Sequence, residues 1–349
     1  MRTRTIALFF LGLAPFLAFL TRVAHAEART PELVQEGHKT MGTWAQVQVW
    51  TDDPVRTRQA IQGAFAELDR IDALMTTWTD TSEVSRINLA AGDGKPVAIS
   101  AELFGVLKAA SDASRLSGGA FDVTVGSFSG LWKFDEDKDG SLPDPAAVRA
   151  RKKLVGWRDL VLDAKATTAR LKKKGQKITL GGIAKGYGVD RAVQILRDAG
   201  VEDFIVQAGG DLFVSGRHGD RPWSVGIRNP RGPADDFFAF ASIEDRTFST
   251  SGDYERFVLR DGKRYHHILD PRTGNPASLC RSVTVMAKTG LEADRLSKAF
   301  FVLGPKKGFA LAERLPDVDA VFVTADNRVL VTSGLKPVLK IVRTPTDAP

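Results

Sequence analysis

Thr179-Leu180-Gly181-Gly182-Ile183-Ala184-Lys185-Gly186-Tyr187 marks a change in the character of the chain. It reads as a strand end, a paired-glycine turn and the start of a helix over 186–199. Such a turn allows close backbone approach and points free N–H groups at an anion. Lys185 adds a positive charge at the same end. A glycine turn before a helix is commonplace, so the stretch alone is a weak signal. The residues C-terminal to it decide the fold class. Residues 204–206 and 212–214 read as strands flanking Gly209-Gly210-Asp211, and 223–227, 237–243 and 256–259 continue the β pattern. Asp261-Gly262 turns the chain into 264–269 as a hairpin. A strand over 283–287, a helix over 292–303 and a hairpin over 321–331 complete the series. No regular βαβ rhythm and no dinucleotide-binding glycine fingerprint is present. The expectation is α+β, with mixed, mostly antiparallel sheets and packed helices.

Before that stretch, Trp44, Val47 and Val49 give 43–50 the alternation of a strand. Ile61, Ala64, Phe65, Leu68, Ile71 and Leu74 recur at helical spacing over 54–77. Ser100 caps a second helix over 101–116, which Ser117-Gly118-Gly119 stops. The basic runs 149–153 and 170–174 read as solvated helix and hairpin surface rather than an anion-binding patch.

At 349 residues the chain suggests one large or two fused domains, and 43% hydrophobic with 26% charged residues excludes disorder. Cys280 is the single cysteine, so no internal disulfide or thiolate metal cluster is available. Residues 1–26 read as a secretory signal peptide: Arg2 and Arg4, an apolar run over 6–20, then Ala24-His25-Ala26 for cleavage. The run is short against the ~20 residues of a membrane span. No cysteine follows the small residues and there is no twin arginine. An exported, periplasmic, Sec-type protein without stable membrane insertion is expected, with its domain over 27–349. The leader carries three arginines and no acid, so its loss lowers the net charge from +7 to +4. That near balance argues against a nucleic-acid partner.

Further stretches carry chemistry-bearing residues. In Gly118-Gly119-Ala120-Phe121-Asp122-Val123-Thr124-Val125-Gly126, Asp122 and Thr124 alternate and would face one site. Gln207-Ala208-Gly209-Gly210-Asp211 is an acidic turn. Ser249-Thr250-Ser251-Gly252-Asp253-Tyr254 precedes His266-His267-Ile268-Leu269-Asp270-Pro271-Arg272-Thr273-Gly274, and Glu292-Ala293-Asp294 opens a helix. Converging carboxylates there would suit Mg²⁺, which takes a few oxygens plus substrate phosphate. Each acid alone reads better as a cap or turn than as a ligand.

Taken in order, from Met41-Gly42-Thr43 to about Val331, these stretches resemble the ApbE family, the FAD:protein FMN transferases. The Gly-Ala-Phe-Asp-x-Thr-x-Gly run, the Ala-Lys-Gly-Tyr run with Asp190, the Thr-Ser-Gly-Asp-Tyr run and the His-x-x-Asp-Pro-x-Thr-Gly run carry the likeness. The resemblance implies an enzyme that cleaves the pyrophosphate of FAD and joins FMN to a threonine or serine of a client redox protein, releasing AMP. It places flavin contacts at Met41, Trp78, Ala120, Phe121, Asp122, Lys185 and the Leu269 backbone. It places His267 near the reacting phosphate as base or phosphate contact, with Asp270 orienting it or bracing the turn. It places a Mg²⁺ ion on the Gly182 backbone and Asp294.

Two positions depart from the family pattern. Thr179 stands where an acid usually precedes Leu-Gly-Gly. Lys298 stands where a hydroxyl residue usually comes four positions after the metal aspartate. On a helix, i and i+4 share a face, so the Lys298 ammonium would lie beside Asp294. The expectation is an altered metal site: a weakened Mg²⁺ site, or a metal-free one with Lys298 in the ion's place. The alternatives to transfer are a non-catalytic periplasmic FAD-binding protein and an FAD pyrophosphatase.

Overall fold

Buried Val34 of one strand, β1 (Glu32–Thr40), pairs opposite Val49 of the next, β2 (Thr43–Thr51), where Ala45, Val47 and Val49 sit at alternate buried positions. Met41 and Gly42 join the two strands in a two-residue turn with φ of 50° and 66°, a left-handed pair that matches the twist of a hairpin. The computed structural model describes residues 30–134 and 138–348. The proposed signal peptide lies outside them. Among the described residues, no helix is long and apolar enough to cross a membrane.

The hairpin opens an eight-stranded sheet. Its other strands are β3 (Phe204–Ala208), β4 (Asp211–Ser215), β5 (Arg246–Gly252), β6 (Cys280–Ala287), β7 (Asp319–Thr324) and β8 (Val329–Val331). They lie side by side in chain order and every neighbouring pair is antiparallel. The α+β expectation is met.

Of the helices α1 (Pro54–Met75), α2 (Ala101–Leu116), α3 (Ala184–Asp198) and α4 (Gly290–Ala312), all but α2 cover one face, and α2 packs against α4. Ile61, Phe65 and Leu68 of α1 and Val193 and Leu196 of α3 pack on Val47, Phe204 and Val206. Leu296, Phe300 and Phe301 of α4 pack on Val283, Val285 and Phe322. The opposite face is covered by a four-stranded sheet that includes Arg221–Arg228 and Phe237–Ile243. The period of two shows in β7, where Ala320 and Phe322 face the helices while Val321 and Val323 face the second sheet.

Three expectations change. The helix expected to stop at 303 continues, after Gly304 (φ 75°) breaks it and Pro305 restarts it, to Ala312. The segment before Gly181 is not a strand. Its backbone is instead tied by Ile178 N–H to Asn88 Oδ1 (2.7 Å) and Thr179 N–H to the Val123 carbonyl (2.9 Å). Asp122 and Thr124 do not alternate on an extended segment: Asp122 caps a 3₁₀ helix, Val123–Phe128.

Candidate active site

Helix α3 begins without a side-chain cap of its own, because its N-cap residue is Ile183. The missing acceptor comes from α4. Asp294, fully buried, accepts from the Gly186 N–H at 2.9 Å. In return Asp190 of α3 accepts from Gly290 N–H (2.5 Å) and Leu291 N–H (2.9 Å) at the start of α4. The two helices thus cap each other, satisfying donors that helix ends leave open. Burial, only partly offset by those donors, pushes the Asp190 carboxyl up to about 6.

Around this crossing lies a polar cluster. The second oxygen of Asp294 pairs with the Lys298 ammonium, as the i,i+4 spacing predicts. Lys185 lies 3.2 Å from Asp211 Oδ2 and 3.3 Å from the Gly181 carbonyl. Ser249 donates to Asp211 at 2.5 Å, and Ser297 sits between Ser249 (3.1 Å) and Ser251 (2.8 Å). Burial works against the Asp294 carboxylate, but Lys185 and Lys298 outweigh it and hold the group below its ordinary range. Asp211 and Asp294 likewise overcome burial at Lys185 and raise it. Lys185 is therefore charged at neutral pH.

The two histidines have different environments. His266 is buried, with Nε2 2.6 Å from the Ala277 carbonyl and Nδ1 accepting from Ile268 N–H at 3.3 Å. Both of its nitrogens are spent on the fold. His267 is half-buried, its N–H bonded to the Arg256 carbonyl (3.0 Å) and its Nδ1 3.4 Å from the same oxygen. That contact places the ring proton on Nδ1 and leaves Nε2 as a base. Burial, then the Arg256 guanidinium and His266, with a smaller push from Lys298, hold His267 well below the usual imidazole range. Arg256 also acts on Lys185. The structure thus brings Lys185, Lys298, Arg256 and His267 into one electrostatic neighbourhood. Sequence reasoning missed Arg256 and Ser297, whose roles depend on contacts across the fold.

The remaining expected residues divide. Phe121 and Lys298 both line Gly182: a Cβ there would lie 3.4 Å from the Phe121 ring and 3.5 Å from Lys298 Cγ. Ala120 is buried beside Phe121. Met41 packs its sulfur against Gly188 of α3, at the outer end of the hairpin. Trp78, 77% exposed after α1, offers an open aromatic face. Leu269 forms a backbone bridge to Pro276. The Asp122 carboxylate is already used by Thr124 N–H, the Thr124 hydroxyl and Trp157 N–H, so it braces the loop. Asp270 is held by Arg272 through Nε (2.8 Å) and Nη2 (2.7 Å). Of the two roles open to Asp270, this geometry describes the turn brace.

A divalent ion does not fit these residues. Mg²⁺ needs near-octahedral oxygens, and both Asp294 oxygens are engaged, one by an N–H and one by an ammonium. Thr179 offers a hydroxyl, already within 3.5 Å of Gly181 N–H, rather than a carboxylate. Among the described residues, no group of three or more His, Cys, Asp or Glu side chains is placed to hold a metal. Of the two expected forms of the site, the contacts formed are those of the Asp294–Lys298 ion pair. A surface cleft of about 510 Å³, lined by residues such as Trp50, Asp53, Arg56 and Asp203, includes none of the cluster.

Fold and cluster together describe an α+β protein in which two lysines paired with buried carboxylates share the electrostatic neighbourhood of His267. The chain belongs to the ApbE family, whose model matches residues 41–322. It is 34% identical over 311 residues to the FAD:protein FMN transferase of Treponema pallidum, covering 84% of this chain and 85% of that one. Against the enzyme of that name from Klebsiella pneumoniae, identity is 35% over 270 residues, covering 77% and 83%. Among solved structures, the ApbE protein of Thermotoga maritima superposes with a TM-score of 0.80 at 32% identity, covering 88% of this chain and 99% of that one. The flavin transferase ApbE of Vibrio cholerae gives 0.79 at 29% identity, covering 88% and 100%.

Proposed function

We propose that this chain is an FAD:protein FMN transferase, exported to the periplasm by residues 1–26, that attaches FMN to a threonine or serine of a client redox protein. The observation that carries the reading is a half-buried His267 whose Nδ1 faces the Arg256 carbonyl at 3.4 Å, leaving Nε2 as the free base, with burial holding its pKa low. The acceptor hydroxyl attacks the FMN phosphorus of bound FAD while His267 Nε2 takes its proton. A P–O bond to the acceptor forms, the pyrophosphate P–O bond breaks, and AMP leaves with the electron pair. Lys185, Lys298 and Arg256 offset the charge that builds on the phosphoryl oxygens. Trp78 supplies an aromatic face for the flavin ring, and Phe121 walls the glycine turn. No step is routed through a divalent ion.

The test is AMP release by the mature chain with FAD, with and without an acceptor domain. Transfer requires AMP to appear only with the acceptor, in step with loss of free flavin. AMP and free FMN without acceptor would make the protein a pyrophosphatase. Bound FAD with no AMP in either case would make it a flavin-binding relative.

A further inference from the structure

We propose that the site binds the diphosphate of its dinucleotide without a divalent cation, the Lys298 ammonium standing in the ion's place. The inference rests on the reading of FAD as substrate. Asp294 is fully buried and carries Lys298 on one oxygen and Gly186 N–H on the other. An ion that took Asp294 as ligand would have to expel the ammonium, and would meet Lys185, whose charge also acts on that carboxylate. Like charges in a low-dielectric pocket oppose it.

The lysine is built in rather than draped over the surface. Its side chain is 17% exposed, against 0% for Asp294, and its stem runs past Gly182 with Cγ 3.5 Å from where a Cβ would stand. The lysine stem thus lies in van der Waals contact range of the glycine turn. An ammonium has three donors, so pairing with Asp294 leaves others for phosphate oxygens. Lys185, anchored on Asp211, repeats the arrangement from α3. Two anchored ammonium groups, one from each helix, thus flank the glycine turn.

The experiment measures FAD affinity of the mature chain by flavin fluorescence, in EDTA and in Mg²⁺ at matched ionic strength. Wild type, Lys298→Thr and Lys298→Met are compared, with far-UV circular dichroism establishing that each is folded. Wild-type affinity is expected to agree within about twofold between the two buffers. Lys298→Thr should bind roughly tenfold or more weakly in EDTA and recover in Mg²⁺, since it restores an oxygen ligand. Lys298→Met should be weak in both. Calorimetric titration of Mg²⁺ alone should give saturable heat with Lys298→Thr and none with wild type. Tenfold weaker wild-type binding in EDTA, or wild-type affinity in Lys298→Met, would overturn the inference. Mg²⁺-dependent binding with intact transfer overturns it while leaving the proposed function standing. FAD binding in neither buffer overturns both.

Discussion

Gly186 and Gly290 meet backbone to backbone where α3 crosses α4. A Cβ on Gly186 would stand 2.0 Å from the Gly290 carbonyl oxygen, and one on Gly290 would stand 2.2 Å from that of Gly186. No side chain fits at either position, and the mutual capping by Asp190 and Asp294 depends on this approach. The Lys298–Asp294 pair is therefore positioned by two glycines more than a hundred residues apart.

Gly186→Ala is expected to cost about 3 kcal/mol through backbone overlap, read as a lower urea midpoint. Gly105→Ala is the control. It lies on α2 with nothing within 4 Å of the added methyl. It should stabilise by about 0.5–1 kcal/mol.

Glu67 holds three helices together. Arg70 bridges Glu67 and Glu102 at 2.8 Å, Arg191 of α3 reaches Glu67 at 3.0 Å, and the Tyr187 hydroxyl donates to Glu102 at 2.7 Å. Arg70 first, then Arg191, overcome burial and lower the Glu67 carboxyl to about 2. Its folded pKa is depressed, so its stabilisation is present above the ordinary glutamate pKa and is lost as pH falls toward about 2. Glu67→Gln should cost about 1 kcal/mol at pH 7, a figure discounted for the exposure of Arg70. The gap from wild type should close as denaturation is repeated below pH 4.5, the ordinary glutamate value.

In the proposed role of base His267 must be neutral, and burial holds its pKa low. The acid limb of kcat/KM, which reports the free enzyme, should therefore fall well below pH 6.5, the ordinary imidazole value. A pH–rate series with saturating acceptor and limiting FAD measures it. A limb at the ordinary value would remove His267 as the titrating base. His267→Ala should lower kcat by roughly 10²–10⁴-fold while FAD still binds.

Residues 345–347 tie the end of the Arg221–Arg228 strand of the second sheet to the β6 and β7–β8 region of the first. Asn229 exchanges hydrogen bonds with Thr346 (2.7 and 3.0 Å), Asn327 donates to the Pro345 carbonyl (2.8 Å), and Arg281 pairs with Asp347 (2.6 Å). Deleting 344–349 removes these partners from side chains such as Asn229, which is buried. The cost should be about 2 kcal/mol, read as a fall in Tm.

Local signals were legible and long-range ones were not. Helix α2 was readable end to end, because Ser100 caps it through Leu103 N–H and Gly118 and Gly119 stop it. Strand β1 escaped notice: only Val34 and Thr40 of its nine residues are buried, so it lacks a clean alternation. Strand β5 escaped for another reason. Its buried Ser249 and Ser251 are satisfied by Asp211 and Ser297, so it reads as a polar turn until those partners are in place. At the site, the spacing of Asp294 and Lys298 gave their contact, because i and i+4 meet on any helix. The reciprocal capping joins positions about a hundred residues apart and has no local signature.

Flavin transfer itself is the central claim, and the intact mass of the acceptor tests it most directly. Residues 27–349, FAD and a client domain bearing the acceptor threonine are incubated, with His267→Ala in parallel. The account predicts that wild type adds one FMN-sized mass to the client and that His267→Ala adds little over the same time. An unmodified client with wild type, in the presence of bound FAD, would contradict it.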